Sequence, residues 1–306
     1  MTIFLFLGLL LLAVLSLVNK QVVLKTVYNP EYFRLPDHVE TVITGASDMQ
    51  FGLNPELIKN SCNIARPAED YFYVYYKIKF LLNSNNRIKN IITGYNLGGL
   101  SKNREDDLYD HQSAQFHKCY FMLLDKYGVD KIYRRNKDFY FFYAKYCFGV
   151  PLELRQELSL WSDILFKKAS IYQYPFCGRF MNRKGQVARP FRGVYFRNAF
   201  LGKDNQLVPK SKIMIEYIEK IAQLCKEKGV NLILISTPVH HSLTERFPSY
   251  YLQLGYQTMQ KLKEINPQIK YYDFSTYTLS DDCFLDEAHL NSKGNNLFSK
   301  EINKLL

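Results

Sequence analysis

The sequence predicts an α/β fold in which a parallel sheet of about five strands lies between two layers of helices. Three observations predict this fold, an insertion within it and a segment before it. Short apolar, β-branched segments alternate with helical patterns on both sides of a long central stretch. That stretch, at about 100–208, has aromatic helical patterning and breaks the alternation. An unbroken apolar run, from Ile3 to Val18, precedes everything else. We therefore expect one α/β domain over residues 38–306, with a mostly helical insertion at about 100–208 and a membrane-directed N-terminus.

Residues 1–20 are predicted to be a transmembrane or signal-anchor segment. The sixteen residues from Ile3 to Val18 are slightly few for a spanning helix and many for a signal-peptide core, and no small-residue cleavage site follows them. We therefore expect an uncleaved, single-pass anchor that binds the membrane. Lys20 and Lys25 would place the main domain in the cytoplasm by the positive-inside rule, whereas the chemistry predicted below favours an extracytoplasmic domain. The orientation stays open.

Five segments are predicted strands because they are short, apolar or β-branched and bounded by turn residues. They are Thr41–Thr44, Cys62–Ala65, Lys89–Thr93, Asn231–Ser236 and Lys270–Phe274. One short helix is predicted to begin at Asn54-Pro55-Glu56. The other predicted helices cover Glu69–Leu82, Ser211–Lys228, Tyr250–Ile265 and Ser292 to the C-terminus. Strands that alternate with helices form a flavodoxin-like parallel sheet in a three-layer α/β/α arrangement. In such sheets ligands bind beyond the carboxyl ends of the strands.

The composition narrows the classes of partner. The chain has 306 residues and is 47% hydrophobic and 23% charged, which is typical of a globular protein. Its net charge of +11 suits nucleic acid, an anionic membrane surface or an acidic polymer, but no nucleic-acid recognition pattern accompanies the basic residues. The six cysteines are widely spaced without a C-x-x-C pair. We therefore expect no nucleic-acid partner, no metal and no cofactor.

Two segments near opposite ends of the domain carry candidate chemistry. Asp286 precedes His289 by three residues in a loop before a predicted helix, a spacing that lets the carboxylate orient the imidazole. Ser47 follows the first predicted strand in Gly45-Ala46-Ser47-Asp48, at the edge where ligands bind. A serine needs a base to become nucleophilic, and His289 is the candidate base.

These motifs resemble the SGNH hydrolase superfamily, the GDSL-like esterases and acyltransferases. In that family a Gly-Asp-Ser motif after the first strand carries the nucleophile, and a C-terminal Asp-x-x-His, often followed by Leu-Asn, completes the triad. The matching residues are Ser47, Asp286 and His289, in the family's order. The resemblance covers about residues 40–100 and 210–306.

The resemblance also implies an oxyanion hole, built from the backbone amides of Ser47 and Ala68 and the side chain of Asn96. Asn96 lies in Gly94-Tyr95-Asn96-Leu97, which matches three positions of the family's Gly-x-Asn-Asp motif. The chain departs from the pattern in three places: Ala46 and Leu97 replace aspartates, and Ala68 takes the place of a glycine. Loss of one oxyanion donor typically lowers the rate about a hundredfold or more.

Three further residues are candidate substrate contacts. His240 and His241 follow the fourth predicted strand and could touch substrate or bind a metal; the alternative is a polar loop pair. Arg66 could hold an anionic sugar or a phosphate, and the alternative is a surface ion pair.

The resemblance implies a membrane-anchored serine acyl-transfer enzyme, either an esterase or deacetylase or an O-acyltransferase. Its expected substrate is an acylated carbohydrate or an acyl donor, in the setting of cell-envelope or capsular polysaccharide. Two alternatives remain open. One is a catalytically inactive SGNH-like glycan-binding or scaffold protein, which the replaced aspartates favour. The other is a basic peripheral protein that docks on anionic lipid. A reactive Ser47 distinguishes the enzyme from both.

Overall fold

The computed structural model describes residues 2–27, 33–85, 87–109, 116, 119–133, 135, 144, 149–150, 162, 166, 175–185 and 193–306. The chain forms two compact units. One contains Leu35–Leu108 and Gly178–Leu306, and the other contains Met1–Arg34 and Tyr109–Cys177. Much of the predicted insertion, including residues 151–161 and 186–192, lies outside the described residues.

The first unit is built on a five-stranded sheet. Its strands are β1 (Thr41–Thr44), β2 (Ser61–Asn63), β3 (Asn90–Gly94), β4 (Asn231–Ser236) and β5 (Lys270–Asp273). Every neighbouring pair is parallel, and the order across the sheet is β2-β1-β3-β4-β5. This is the flavodoxin-like order, so the predicted fold class is confirmed. The order reverses direction at β1, whose carboxyl end is therefore the expected position of a ligand site.

Ten α-helices lie among the described residues. They are α1 (Thr2–Val27), α2 (Ser47–Gly52), α3 (Tyr71–Ser84), α4 (Lys102–Asp107), α5 (Lys126–Tyr133), α6 (Val194–Phe200), α7 (Lys212–Glu227), α8 (His241–Thr244), α9 (Ser249–Ile265) and α10 (Ser292–Leu305). Short 3-10 helices occupy Pro55–Leu57, Leu97–Leu100, Phe121–Leu123, Pro175–Cys177 and Asp281–Cys283.

Capping residues explain where the long helices begin. The Asp70 side chain accepts a hydrogen bond from the Tyr73 N–H at the start of α3, and Ser211 accepts one from Met214 at the start of α7. Asn291 accepts from two backbone N–H groups at the start of α10. These residues satisfy first-turn N–H groups that lack helical partners.

Both faces of the sheet are buried. Ile43, Ile92 and Ile233 point to one face, where they pack in a cluster with Phe298 of α10. Their strand neighbours point to the other face and are also buried, as strand alternation requires. On that side α3 and α7 pack together, with the rings of Phe72 and Tyr217 at 4.7 Å. Helices therefore cover both faces, which makes the unit a three-layer α/β/α structure.

The N-terminal helix α1 belongs to the second unit. Its segment Ile3–Gln21 is long and apolar enough to cross a membrane, and its apolar side chains are exposed. A signal sequence has the same properties. The predicted anchor at residues 1–20 falls in this helix.

Candidate active site

Ser47 lies where β1 leaves the sheet. β1 ends at Thr44, and Ser47 is the first residue of α2. The intervening turn depends on Gly45, whose φ of +125° favours glycine; a Cβ there would lie 2.9 Å from the Met49 side chain. This turn places Ser47, half-buried, at the carboxyl edge of the sheet.

Ser47, His289 and Asp286 form one hydrogen-bonded chain. The Ser47 Oγ lies 2.7 Å from His289 Nε2, and His289 Nδ1 lies 2.8 Å from each carboxylate oxygen of Asp286. An ionised carboxylate can only accept hydrogen bonds, so Nδ1 carries a proton and donates a hydrogen bond to Asp286. In the neutral ring Nε2 then accepts from the Ser47 hydroxyl. A histidine in this position can remove the serine proton.

The loop before α10 keeps Asp286 ionised and aimed at His289. The carboxylate also accepts hydrogen bonds from the backbone N–H groups of Ala288, at 2.8 Å, and His289, at 3.0 Å. Partial burial by itself raises the pKa of Asp286, but the hydrogen bonds and charge of His289 and these two N–H groups outweigh it. The pKa of Asp286 therefore lies below its usual value. The carboxylate is therefore held in place to accept the hydrogen bond from His289 Nδ1.

The three residues expected to form an oxyanion hole lie in different surroundings. Asn96 lines the same cavity as Ser47. Its Nδ2 donates to Asp48 Oδ2 at 3.1 Å, and its Oδ1 accepts from the Gly99 N–H at 2.7 Å. Ala68 is not among the described residues that line this cavity. Its φ of +58° is in the left-handed region that favours glycine, as expected for a residue that takes a glycine's place.

A cavity of about 570 Å³ opens beside Ser47 and His289. Its walls are mostly apolar and come from the ends of β3 and β4, from α6 and from one face of α9. All of the described residues that line it belong to the first unit. The candidate nucleophile therefore faces a space large enough for a small organic ligand.

No family model matches the chain, and no curated protein matches it. A solved structure from Streptococcus pneumonia, provisionally described as a platelet activating factor, is similar to it. That match covers 100% of this chain and 98% of the other, at 10% identity and a TM-score of 0.43. A likeness at this level carries no inference about function.

Arg66 is buried, with 6% of its surface exposed, so it does not lie at the surface. Its backbone N–H donates to the Gly45 carbonyl, which links the segment after β2 to the turn before Ser47. Arg66 is not among the described residues that line the cavity.

His240 and His241 lie beside the cavity wall but are not among its described lining residues; Val239 takes that place. The two rings are 4.0 Å apart, and His240 Nε2 lies 3.2 Å from Asp281 Oδ1. Burial holds the pKa of His240 below its usual value. One ligand atom from each of these histidines and from Asp281 lies within 4.8 Å of the others, so the three residues could hold a metal ion.

Two residues at the site have no distinctive sequence signal. The first is Glu287, which directly follows Asp286 and whose side chain is only 4% exposed. Its Oε1 accepts from the Tyr195 N–H at 2.6 Å and from the Phe196 N–H at 3.2 Å, and its Oε2 lies 2.7 Å from Arg246 Nη2. The only sequence signal is an ionisable residue inside the Asp-x-x-His motif.

Through Glu287 the motif positions α6 and its residue Tyr195. The Tyr195 ring packs edge-on against His289, with centroids 6.5 Å apart, and its hydroxyl lies 3.4 Å from Asn96 Oδ1. Burial raises the pKa of Tyr195 to about 12, so its hydroxyl stays protonated at neutral pH. Phe51 packs against His289 in the same edge-on manner at 5.4 Å. The imidazole is therefore held by packing as well as by hydrogen bonds.

Proposed function

We propose that this chain is an SGNH-type serine acyl-transfer enzyme that acts on ester bonds. The observation that carries the proposal is the hydrogen-bonded chain from Ser47 through His289 to Asp286, with Ser47 Oγ 2.7 Å from His289 Nε2. Geometry of this kind recurs on unrelated folds and is recognised by the roles of its residues.

In the first half of the reaction, Ser47 Oγ bonds to the ester carbonyl carbon while its proton moves to His289 Nε2. The carbonyl oxygen becomes an oxyanion, to which the Ser47 amide and Asn96 are the proposed donors. The bond from carbon to the alcohol oxygen then breaks as Nε2 returns its proton to that oxygen. An alcohol leaves, and the acyl group remains on Ser47.

In the second half, an acceptor hydroxyl attacks the acyl-serine and gives its proton to His289 Nε2. The bond to Ser47 Oγ breaks, and Oγ recovers that proton. Water as acceptor makes the protein an esterase, and a sugar hydroxyl makes it an O-acyltransferase. Cell-envelope or capsular polysaccharide as the sugar, and an extracytoplasmic position of the domain, are proposed from the sequence resemblance.

The alternative is a non-catalytic SGNH-like protein that binds glycan or acts as a scaffold. One observation favours it: Asn96 Nδ2, the proposed oxyanion donor, already donates to Asp48 Oδ2. An amide nitrogen has two protons, so the second proton remains for catalysis. The enzyme requires a reactive Ser47, whereas the non-catalytic protein does not, so the reactivity of Ser47 distinguishes the two functions.

The test uses the full chain in phospholipid nanodiscs and measures hydrolysis of aryl acetate and aryl butyrate. We expect Ser47→Ala and His289→Ala to lower kcat by about 10⁴-fold or more, because the two residues act as a unit. Ser249→Ala, at an exposed serine that begins α9, is the matched control and should leave the rate unchanged. An alkyl fluorophosphonate should label Ser47 in the natural chain. Absence of both turnover and labelling would refute the proposal and favour the non-catalytic alternative.

A further inference from the structure

We infer that the cavity beside Ser47 is an acyl-chain site, which takes a linear aliphatic chain of about twelve carbons from the substrate ester. This inference rests on the proposed function, since it assigns the cavity to the acyl side of the same site. It names a substrate class that the sequence motifs do not specify.

The length of the site follows from α9. The cavity is lined by Leu252, Gly255, Tyr256, Met259, Gln260 and Lys263. These positions recur every three or four residues and form one face of the helix. At 1.5 Å per residue, the eleven steps from Leu252 to Lys263 extend about 16 Å. An extended chain gains about 1.2 Å per bond, from the 3.3–3.6 Å of a three-bond residue, so this face matches about thirteen bonds.

The volume supports the same size of ligand. If a methylene occupies about the 30 Å³ of a water molecule in the liquid, twelve carbons need roughly 360 Å³. The cavity of about 570 Å³ accommodates such a chain beside the reacting carbonyl. An acetyl group would leave most of the cavity filled with water.

The chemistry of the wall favours an alkyl chain over a sugar. Phe200 and Leu243 are fully buried and Met259 is 6% exposed, so the inner wall is apolar. Two hydroxyl groups on the wall, those of Tyr95 and Ser236, already have partners. Tyr95 donates to the Gly255 carbonyl at 2.7 Å, and Ser236 donates to the Tyr95 carbonyl at 2.6 Å. Against the part of the wall formed by Phe200, Leu243 and Met259, a sugar would bury its hydroxyl groups without partners, whereas an alkyl chain needs none.

The first experiment measures kcat/KM for p-nitrophenyl esters from acetate to palmitate, with the full chain in phospholipid nanodiscs. Burial of one methylene group raises kcat/KM about four-fold at most. We expect a rise of two- to four-fold per methylene over the first carbons, a dodecanoate-to-acetate ratio of at least about 100, and no gain beyond about fourteen carbons. Equal or falling values from acetate onward would overturn the inference and leave the proposed function standing.

Two tryptophan substitutions on α9 distinguish binding of the acyl chain in the cavity from a general preference for hydrophobic esters. Met259→Trp fills the middle of the site, and we expect the dodecanoate-to-acetate ratio to fall at least ten-fold. Gln257→Trp places the same side chain on the exposed side of α9, outside the described lining, and should leave the ratio unchanged. Met259→Phe is a milder second variant, for the case in which the tryptophan prevents folding. Partition of the esters into lipid is the same for all variants, so a ratio equal in natural chain, Met259→Phe and Met259→Trp would contradict the inference.

A second measurement does not depend on catalysis. Dodecanoate with a terminal diazirine is photo-crosslinked to the full-length Ser47→Ala chain, and the labelled residues are mapped by mass spectrometry. We expect labelling within 252–263 that excess dodecanoate suppresses. Labelling there without any ester turnover in the natural chain would overturn the proposed enzyme but support the acyl-chain site. Labelling elsewhere, or none that dodecanoate suppresses, would overturn the site even if short esters are hydrolysed.

Discussion

Glu287 offers the sharpest test of how the site is held together. Its carboxylate accepts hydrogen bonds from the Tyr195 and Phe196 N–H groups and is paired with Arg246. Hydrogen bonds to a charged group are each worth about 1.5–3 kcal/mol. Arg246 is 39% exposed and can regain water, so its share of the loss is small. One short and one long N–H bond together give about 3 kcal/mol of local stability in α6.

Hydrogen–deuterium exchange measures that local stability directly. A loss of about 3 kcal/mol raises the exchange rate of the Tyr195 and Phe196 amides roughly 100-fold in Glu287→Ala. Glu287→Gln keeps a neutral acceptor and should raise it only about 10-fold. Glu264→Ala, at an exposed position of α9, is the matched control and should have no effect. We expect kcat to fall about 10-fold in Glu287→Ala, because Tyr195 no longer packs in place against His289. Unchanged exchange at both amides would refute the reasoning, whatever happens to activity.

Two further predictions concern Asn96 and Asp70. Asn96→Ala removes a proposed oxyanion donor and should lower kcat about 100-fold, with the chain-length ratio unchanged. A rate in Asn96→Ala within two-fold of the natural one would contradict this role. Burial raises the pKa of Asp70 from 3.8 to about 7 in the folded protein. The folded chain therefore holds a proton that the unfolded chain releases, so stability falls as pH rises from about 4 to 7. Asp70→Asn cannot titrate, and its stability relative to the natural chain should rise over that window, by on the order of 4 kcal/mol at the upper limit. The measurement is the difference in Tm between the two chains at pH 5 and pH 8, and a difference that is independent of pH would contradict it.

Much of the first unit could be predicted because its elements have local signals. Asp70, Ser211 and Asn291 cap helices whose starts were predicted within about two residues, and the apolar β4 was predicted with its observed bounds. Strand alternation with helices was enough to predict the parallel sheet. The β2 bounds differ, because Ala65 already belongs to the loop: its N–H bonds to the Asn63 side chain instead of a neighbouring strand.

The rest of the site depends on contacts between distant segments. Glu287 and Tyr195 are 92 residues apart, and no local pattern indicates that they pair. The directions of the side chains in the loop after β4 could not be predicted from the sequence either. Val239 lines the cavity, whereas its neighbour His240 lies against Phe284, with ring centroids at 5.5 Å. A prediction that places a loop at the right edge of the sheet does not determine which of its residues face the ligand.

The separation of Ser47 and His289 along the chain has a consequence for biosynthesis. They are 242 residues apart, so Ser47 is translated well before His289 and Asp286. At roughly 5–20 residues per second, Ser47 exists for about 10 to 50 s before His289 is made. Throughout that interval Ser47 is an ordinary alcohol with no histidine partner from this pair. The hydrogen bond between Ser47 and His289 therefore cannot form in a nascent chain until the segment that carries His289 has been made.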